Sequence, residues 1–106
     1  MIVAGAATTI VFKFRNAGAA EWRRGTPSEV RLGIVGAYDP SLAHRWPYPE
    51  RPAIQSELVV APGQIATFEF DVRGPRPGTY RLRVRPVVDG VAWLTDQGAF
   101  IDVEVR

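Results

Sequence analysis

The feature that most constrains this chain is a two-residue hydrophobic period. Ile10, Phe12 and Phe14 share one face of an extended chain, while Thr9, Lys13 and Arg15 share the other. Val30, Leu32 and Ile34 alternate with Glu29, Arg31 and Gly33, and Phe68, Phe70 and Val72 with Thr67, Glu69 and Asp71. Tyr80, Leu82 and Val84 alternate with Arg81, Arg83 and Arg85, and Ile101, Val103 and Val105 with Asp102, Glu104 and Arg106. Side chains of a strand point alternately to its two faces, so each segment predicts a half-buried strand of an antiparallel sheet. Shorter strands at Ile2–Ala4 and around Val91–Leu94 bring the expected number to seven. Turn signals separate them: Asn16-Ala17-Gly18, Gly25-Thr26-Pro27, Pro62-Gly63, Pro75-Arg76-Pro77-Gly78 and Asp89-Gly90. Asp89-Gly90 between two apolar runs predicts a tight two-residue hairpin. No stretch keeps a helical period. The expected fold is all-β, an immunoglobulin/fibronectin-III-like antiparallel sandwich of about seven strands with Phe12, Phe14, Leu32, Phe68, Phe70, Tyr80, Leu82 and Val103 facing inward.

A chain of 106 residues, 46% hydrophobic and 23% charged, has the size and composition of one domain spanning residues 1–106. We expect that domain to be a piece of a larger multidomain protein. The chain has no cysteine, which excludes disulfides, thiolate zinc sites and cysteine nucleophiles together. Only one of the thirteen basic residues, Lys13, is lysine. With abundant Ala, Gly and Pro, this skew points to a GC-rich genome, which we expect to be bacterial. No apolar run is long enough for a membrane helix, and no charged segment precedes an apolar one as in a signal peptide, so no membrane insertion is expected.

One segment breaks the alternation. Residues 36–57 hold Tyr38, His44, Trp46, Tyr48 and Arg51 among prolines at 40, 47, 49 and 52. Connections of this length within a small domain tend to be functional or poorly ordered. Aromatic rings with arginine nearby could stack on sugars or anchor a protein partner, so Tyr38, His44, Trp46, Tyr48 and Arg51 form the candidate binding loop. The competing reading folds Trp46 back over an open end of the sandwich.

The punctuation also carries a pattern. Asn16-x-Gly18-x-x-x-Trp22 follows a Phe-rich strand, and Val60-Ala61-Pro62-Gly63-Gln64 precedes another. Pro77-Gly78-Thr79-Tyr80 opens the next, and Asp89-Gly90-Val91-Ala92-Trp93 comes after it. Over roughly Thr9 to Arg106 the chain resembles the FW, or four-tryptophan, immunoglobulin-like domain, found in selective-autophagy receptors and in bacterial multidomain and cell-envelope proteins. It holds three tryptophans, with Leu94 where that family often shows a second aromatic. The resemblance implies a non-catalytic module that contacts proteins or spaces domains, in an extracellular or cell-envelope setting. Physical chemistry gives the signature structural work. Asn16 and Gly18 suit a turn with positive φ or a side-chain-to-backbone bond. Tyr80 is placed like a tyrosine corner. Trp22 and Trp93 are expected to cap the core.

Catalysis and metal binding have weak candidates. His44 is the only histidine and no nucleophile or carboxylate stands beside it in a triad pattern, so we expect no enzyme and no catalytic residue. The carboxylates lack metal-ligand spacing, so we expect no metal and no cofactor. Net charge is only +2. Arg81, Arg83 and Arg85 could grip phosphates, but sandwich topology would set them against Asp102 and Glu104, and Lys13 and Arg15 against Glu69 and Asp71. The expected partners are therefore other domains of the same chain or a protein, with a glycan as the alternative and nucleic acid disfavoured.

Overall fold

Alternation becomes strands wherever it can bury one face. A computed structural model describes residues 2–106. The long strands are β1 (Ala7–Arg15), β7 (Ile65–Arg73), β8 (Gly78–Val88) and β10 (Phe100–Val105), with β3 (Arg31–Ile34) shorter. Five two-residue strands join them: β2 (Trp22–Arg23), β4 (Ala43–His44), β5 (Ala53–Ile54), β6 (Val59–Val60) and β9 (Ala92–Trp93). The only helical turn among the described residues is the 3-10 turn Pro40–Leu42, capped by the Asp39 carboxylate on the Ser41 amide.

The strands form two main sheets, ordered β1-β7-β4 and β10-β8-β3-β5, with β9 hairpinned onto β8 and β2 paired with β6 at one end. All these pairings are antiparallel. The result is an all-β, immunoglobulin-like sandwich. Ile10, Phe14, Phe68, Phe70 and Val72 from one sheet meet Leu32, Leu82, Val84 and Val103 from the other in a common core. Phe68 and Leu82 are fully buried, at about 25 cal/mol for each Å² of apolar surface removed from water. Phe12 and Tyr80, expected inside, are half-buried at the flanks.

Three sequence expectations change in detail. Ile2–Ala4 is not a full strand: it forms one parallel bridge, Ile2 to Val105, with bonds between Ile2 and the backbone of Glu104 and Arg106. The turn at Asp89-Gly90 spans three residues, because Val88 pairs with Ala92 and Gly90 takes a φ of 79°. The charge ladders are mostly unbuilt. Arg81 does oppose Asp102, bonded at 2.8 and 3.0 Å, but Arg83 opposes Phe100 and Glu104 opposes Thr79. On the other sheet Glu69 faces Val11, and Asp71 faces Thr9, whose hydroxyl donates to it at 2.7 Å.

Candidate functional site: an arginine–aromatic face

The binding loop predicted from sequence is divided by the fold. Tyr38 and Trp46 stack on each other, with ring centroids 5.8 Å apart, and Trp46 meets Phe70 edge-on at 6.1 Å. The Trp46 indole donates to the Asp71 carbonyl at 2.8 Å, so both rings close the β4 end of the sandwich. His44 is half-buried in β4, opposite Asp71. Tyr48 and Arg51 go elsewhere. Pro49 and Glu50 sit at the centre of a tight turn that the Arg51 amide closes on the Tyr48 carbonyl at 3.0 Å, with Glu50 at a φ of 58°. Pro at the second position and a left-handed residue at the third suit such a turn. The Glu50 carbonyl accepts from the Ile34 amide, which docks the turn on β3.

There Tyr48, Arg51 and Trp93 line one shallow groove on the outer face of the larger sheet. Trp93 is not the core cap expected from sequence: it is 43% exposed. β9 pairs it with Val87, whose side chain points away from the core. Val87 is 2% exposed yet stands outside the core cluster, since the outer-face groups cover it. The Trp93 ring lies over Gly33, where an added Cβ would stand 2.6 Å from the ring. Glycine is required there by close approach.

Arginines frame both rings. The Arg31 guanidinium sits 4.2 Å from the Tyr48 ring centre, and those of Arg51 and Arg85 sit 5.0 and 5.5 Å from Trp93. Farther along, Arg81 covers the exposed Phe100 at 4.2 Å. Such cation–π contacts are each worth about 0.5–1 kcal/mol at exposed sites. Asp89 ties the cluster together, accepting from Arg51 at 2.9 Å and from Arg31 at 3.2 Å, while Arg31 also bonds Glu29 at 3.0 Å. Arg85 donates to the Leu94 carbonyl.

The hydrogen bonds from Arg51, reinforced by Arg31, hold the Asp89 carboxyl below its ordinary range against the opposing effect of partial burial. A depressed folded value means that this stabilisation is complete above the unfolded pKa of about 3.9 and fades as the pH falls through the folded value. Asp89→Asn should therefore cost up to about 1 kcal/mol at neutral pH, the figure for a solvent-screened pair. The gap between thermal melts of variant and wild type should begin to close as the pH falls below about 4 and vanish only below the depressed folded value. A pH-independent gap would show that Asp89 acts by packing alone.

The remaining signature residues have structural partners. The Tyr80 hydroxyl donates to the Arg76 carbonyl at 2.6 Å, the tyrosine-corner geometry. Asn16 works through side-chain-to-backbone bonds, and neither it nor Gly18 has a positive φ. Trp22 is half-buried against the core. Sequence reasoning missed Arg31, Gly33, Arg85, Val87 and Asp89 as members of one cluster. A glycine at an outward position of β3, with an aromatic just after the Asp89-Gly90 turn, was the available signal. No cluster of three His, Asp or Glu suited to a metal occurs among the described residues, and no helix is long and apolar enough to cross a membrane.

Fold and face together define a small all-β sandwich that displays exposed aromatic rings paired with arginines. No protein-family model, curated protein or solved structure matches the chain.

Proposed function

We propose that this is a non-catalytic protein-binding module whose contact surface is the outer face of β10-β8-β3-β5, centred on Tyr48, Arg51 and Trp93. The observation that carries this reading is the exposure of Tyr48 and Trp93, at 46% and 43%, on a rigid sheet with guanidinium groups fixed against them. Tyr, Trp and Arg dominate the energetics of protein interfaces, and side chains already held in place lose less entropy on binding. Arg31, Arg51 and Arg81 are neutralised by Asp89, Glu29 and Asp102, which leaves Arg83 and Arg85 as the cations of this face without an ion pair among the described residues and disfavours phosphate binding. The resemblance to FW domains agrees with such a module and supports a cell-envelope or extracellular setting, while the arginine skew supports a bacterial source.

The exposed rings also favour a second reading, a glycan-binding face on Tyr48 and Trp93. It differs from the platform expected in the loop, because Trp46 and Tyr38 are engaged in packing. Trp93→Ala should weaken capture of a protein partner at least tenfold while leaving the melting temperature nearly unchanged, as hot-spot truncations do. Gly33→Ala should weaken it as well, since the new methyl group displaces the Trp93 ring without removing it. Binding that survives both substitutions would remove this face from consideration. Retention of a glycan on an array, lost in the same variants, would select the second reading.

A further inference from the structure

A second surface lies on the flank of the sandwich, where β1 ends its sheet. Strand β1 has β7 on one side and no strand on the other. The register is uniform over nine pairs, and just beyond its ends Ala6 accepts from the Gly74 amide while the Asn16 amide donates to Gln64. In an antiparallel pair the residues bonded to the neighbour alternate with those whose N–H and C=O point away. Even-numbered residues therefore bond to β7. Thr9, Val11, Lys13 and Arg15 present their backbone groups along the open edge, and Val11 is 49% exposed there.

The end of that edge opens into a cleft of about 740 Å³ between β1 and the segment joining β9 to β10. Phe14, Trp22, Pro86, Leu94 and Ala99 line it, with Lys13 and Arg15 at its rim. Among the described residues neither cation has a carboxylate within ion-pair distance. An unpaired edge, an apolar cleft and two cations without a direct ion pair, Arg15 and the Lys13 whose charge also acts on Glu57, thus coincide.

We propose that β1 accepts an extended peptide as an added strand, carrying the pattern acidic–apolar–acidic opposite Lys13, Phe14 and Arg15. The pattern follows from the pleat. Side chains of paired strands share a face, so residues opposite Lys13 and Arg15 lie beside those cations on the outer surface. The residue between them points inward, beside Phe14 and into the cleft. Backbone bonds to the edge supply affinity and the alternating side chains supply selection. This site is separate from the arginine–aromatic face and does not depend on it.

The probe is a capped heptapeptide with Glu-Leu-Glu at its centre and Ser and Thr flanks, against a Lys-Leu-Lys control, titrated into the isotope-labelled domain. Saturable shifts are expected at the Lys13 and Arg15 amides and at the Trp22 indole, with the Trp93 indole unmoved. The same two amides should become protected from solvent exchange, because their N–H groups acquire acceptors. Lys13→Glu with Arg15→Glu, both exposed, should weaken the acidic peptide about tenfold and admit the basic one. Shifts without amide protection, shifts centred on Trp93, indifference to the charge reversal, or no saturable shift at millimolar peptide would each overturn the proposal.

Discussion

Trp46→Ala is expected to lower the unfolding free energy by about 3 kcal/mol, the lower end of the range for truncating a core aromatic. The ring is half-buried, but three neighbours depend on it. Tyr38 stacks on it, Phe70 forms a T-shaped pair with it, and the Asp71 carbonyl accepts its indole N–H. β4 is only two residues long, so the indole extends the edge of β7 by one bond that backbone does not provide. Trp46→Phe should recover most of the loss, leaving about 1 kcal/mol for the missing hydrogen bond. Trp93→Ala should cost under about 1 kcal/mol, as surface substitutions do, because its ring rests on the outer face. Urea titration of the three variants checks the order. A Trp46→Ala domain as stable as wild type would return Trp46 to the list of free binding groups and leave Tyr38 without a structural role.

Much of this fold was legible in the sequence because its long strands are amphipathic. Phe68, Leu82 and Val103 are buried where the period put them, and the pairings of β1 with β7 and β8 with β10 follow immunoglobulin-like topology. Register was not legible. A shift of two residues preserves the inside and outside of every strand yet changes which charges meet, so Arg81 found Asp102 while Glu104 faced Thr79. The two-residue strands β2, β4, β5 and β6 carry too few residues to show a period. The candidate site was half legible. Tyr48 and Arg51 reach an exposed face, but the partition of one loop between a core lid and a surface cluster depends on the turn at Pro49-Glu50 and its dock on Ile34. Trp93 was misplaced for a related reason. The turn at Asp89-Gly90 holds three residues, and β9 sets the ring against Val87 on the outside.

Two buried amides should prove as costly to remove as any core ring. Asn16 is fully buried, its amide nitrogen donating to the carbonyls of Ala20 at 2.8 Å and Val60 at 3.0 Å, its oxygen accepting from the Gly18 amide. Gln55 repeats the arrangement: it donates to Trp22 and Glu57 carbonyls and accepts from the Val30 amide at 2.9 Å. Between them they bond carbonyls of the short strands β2 and β6 and backbone groups of the loops beside that pair. Each unsatisfied buried group costs roughly 1–3 kcal/mol, so Asn16→Ala and Gln55→Ala should each destabilise by about 3 kcal/mol after water has entered. Asn16→Asp is the sharper test. The carboxylate keeps the bond from Gly18 but turns a buried negative charge toward two carbonyl oxygens, so at neutral pH it should be worse than alanine. Burial raises the pKa of such a carboxyl, and protonation restores one donor, so the deficit should narrow as the pH falls. Denaturation midpoints at neutral and acid pH decide the matter. If Asn16→Asp tracks Asn16→Ala at every pH, the side chain is a space-filler and the loop is held by backbone alone.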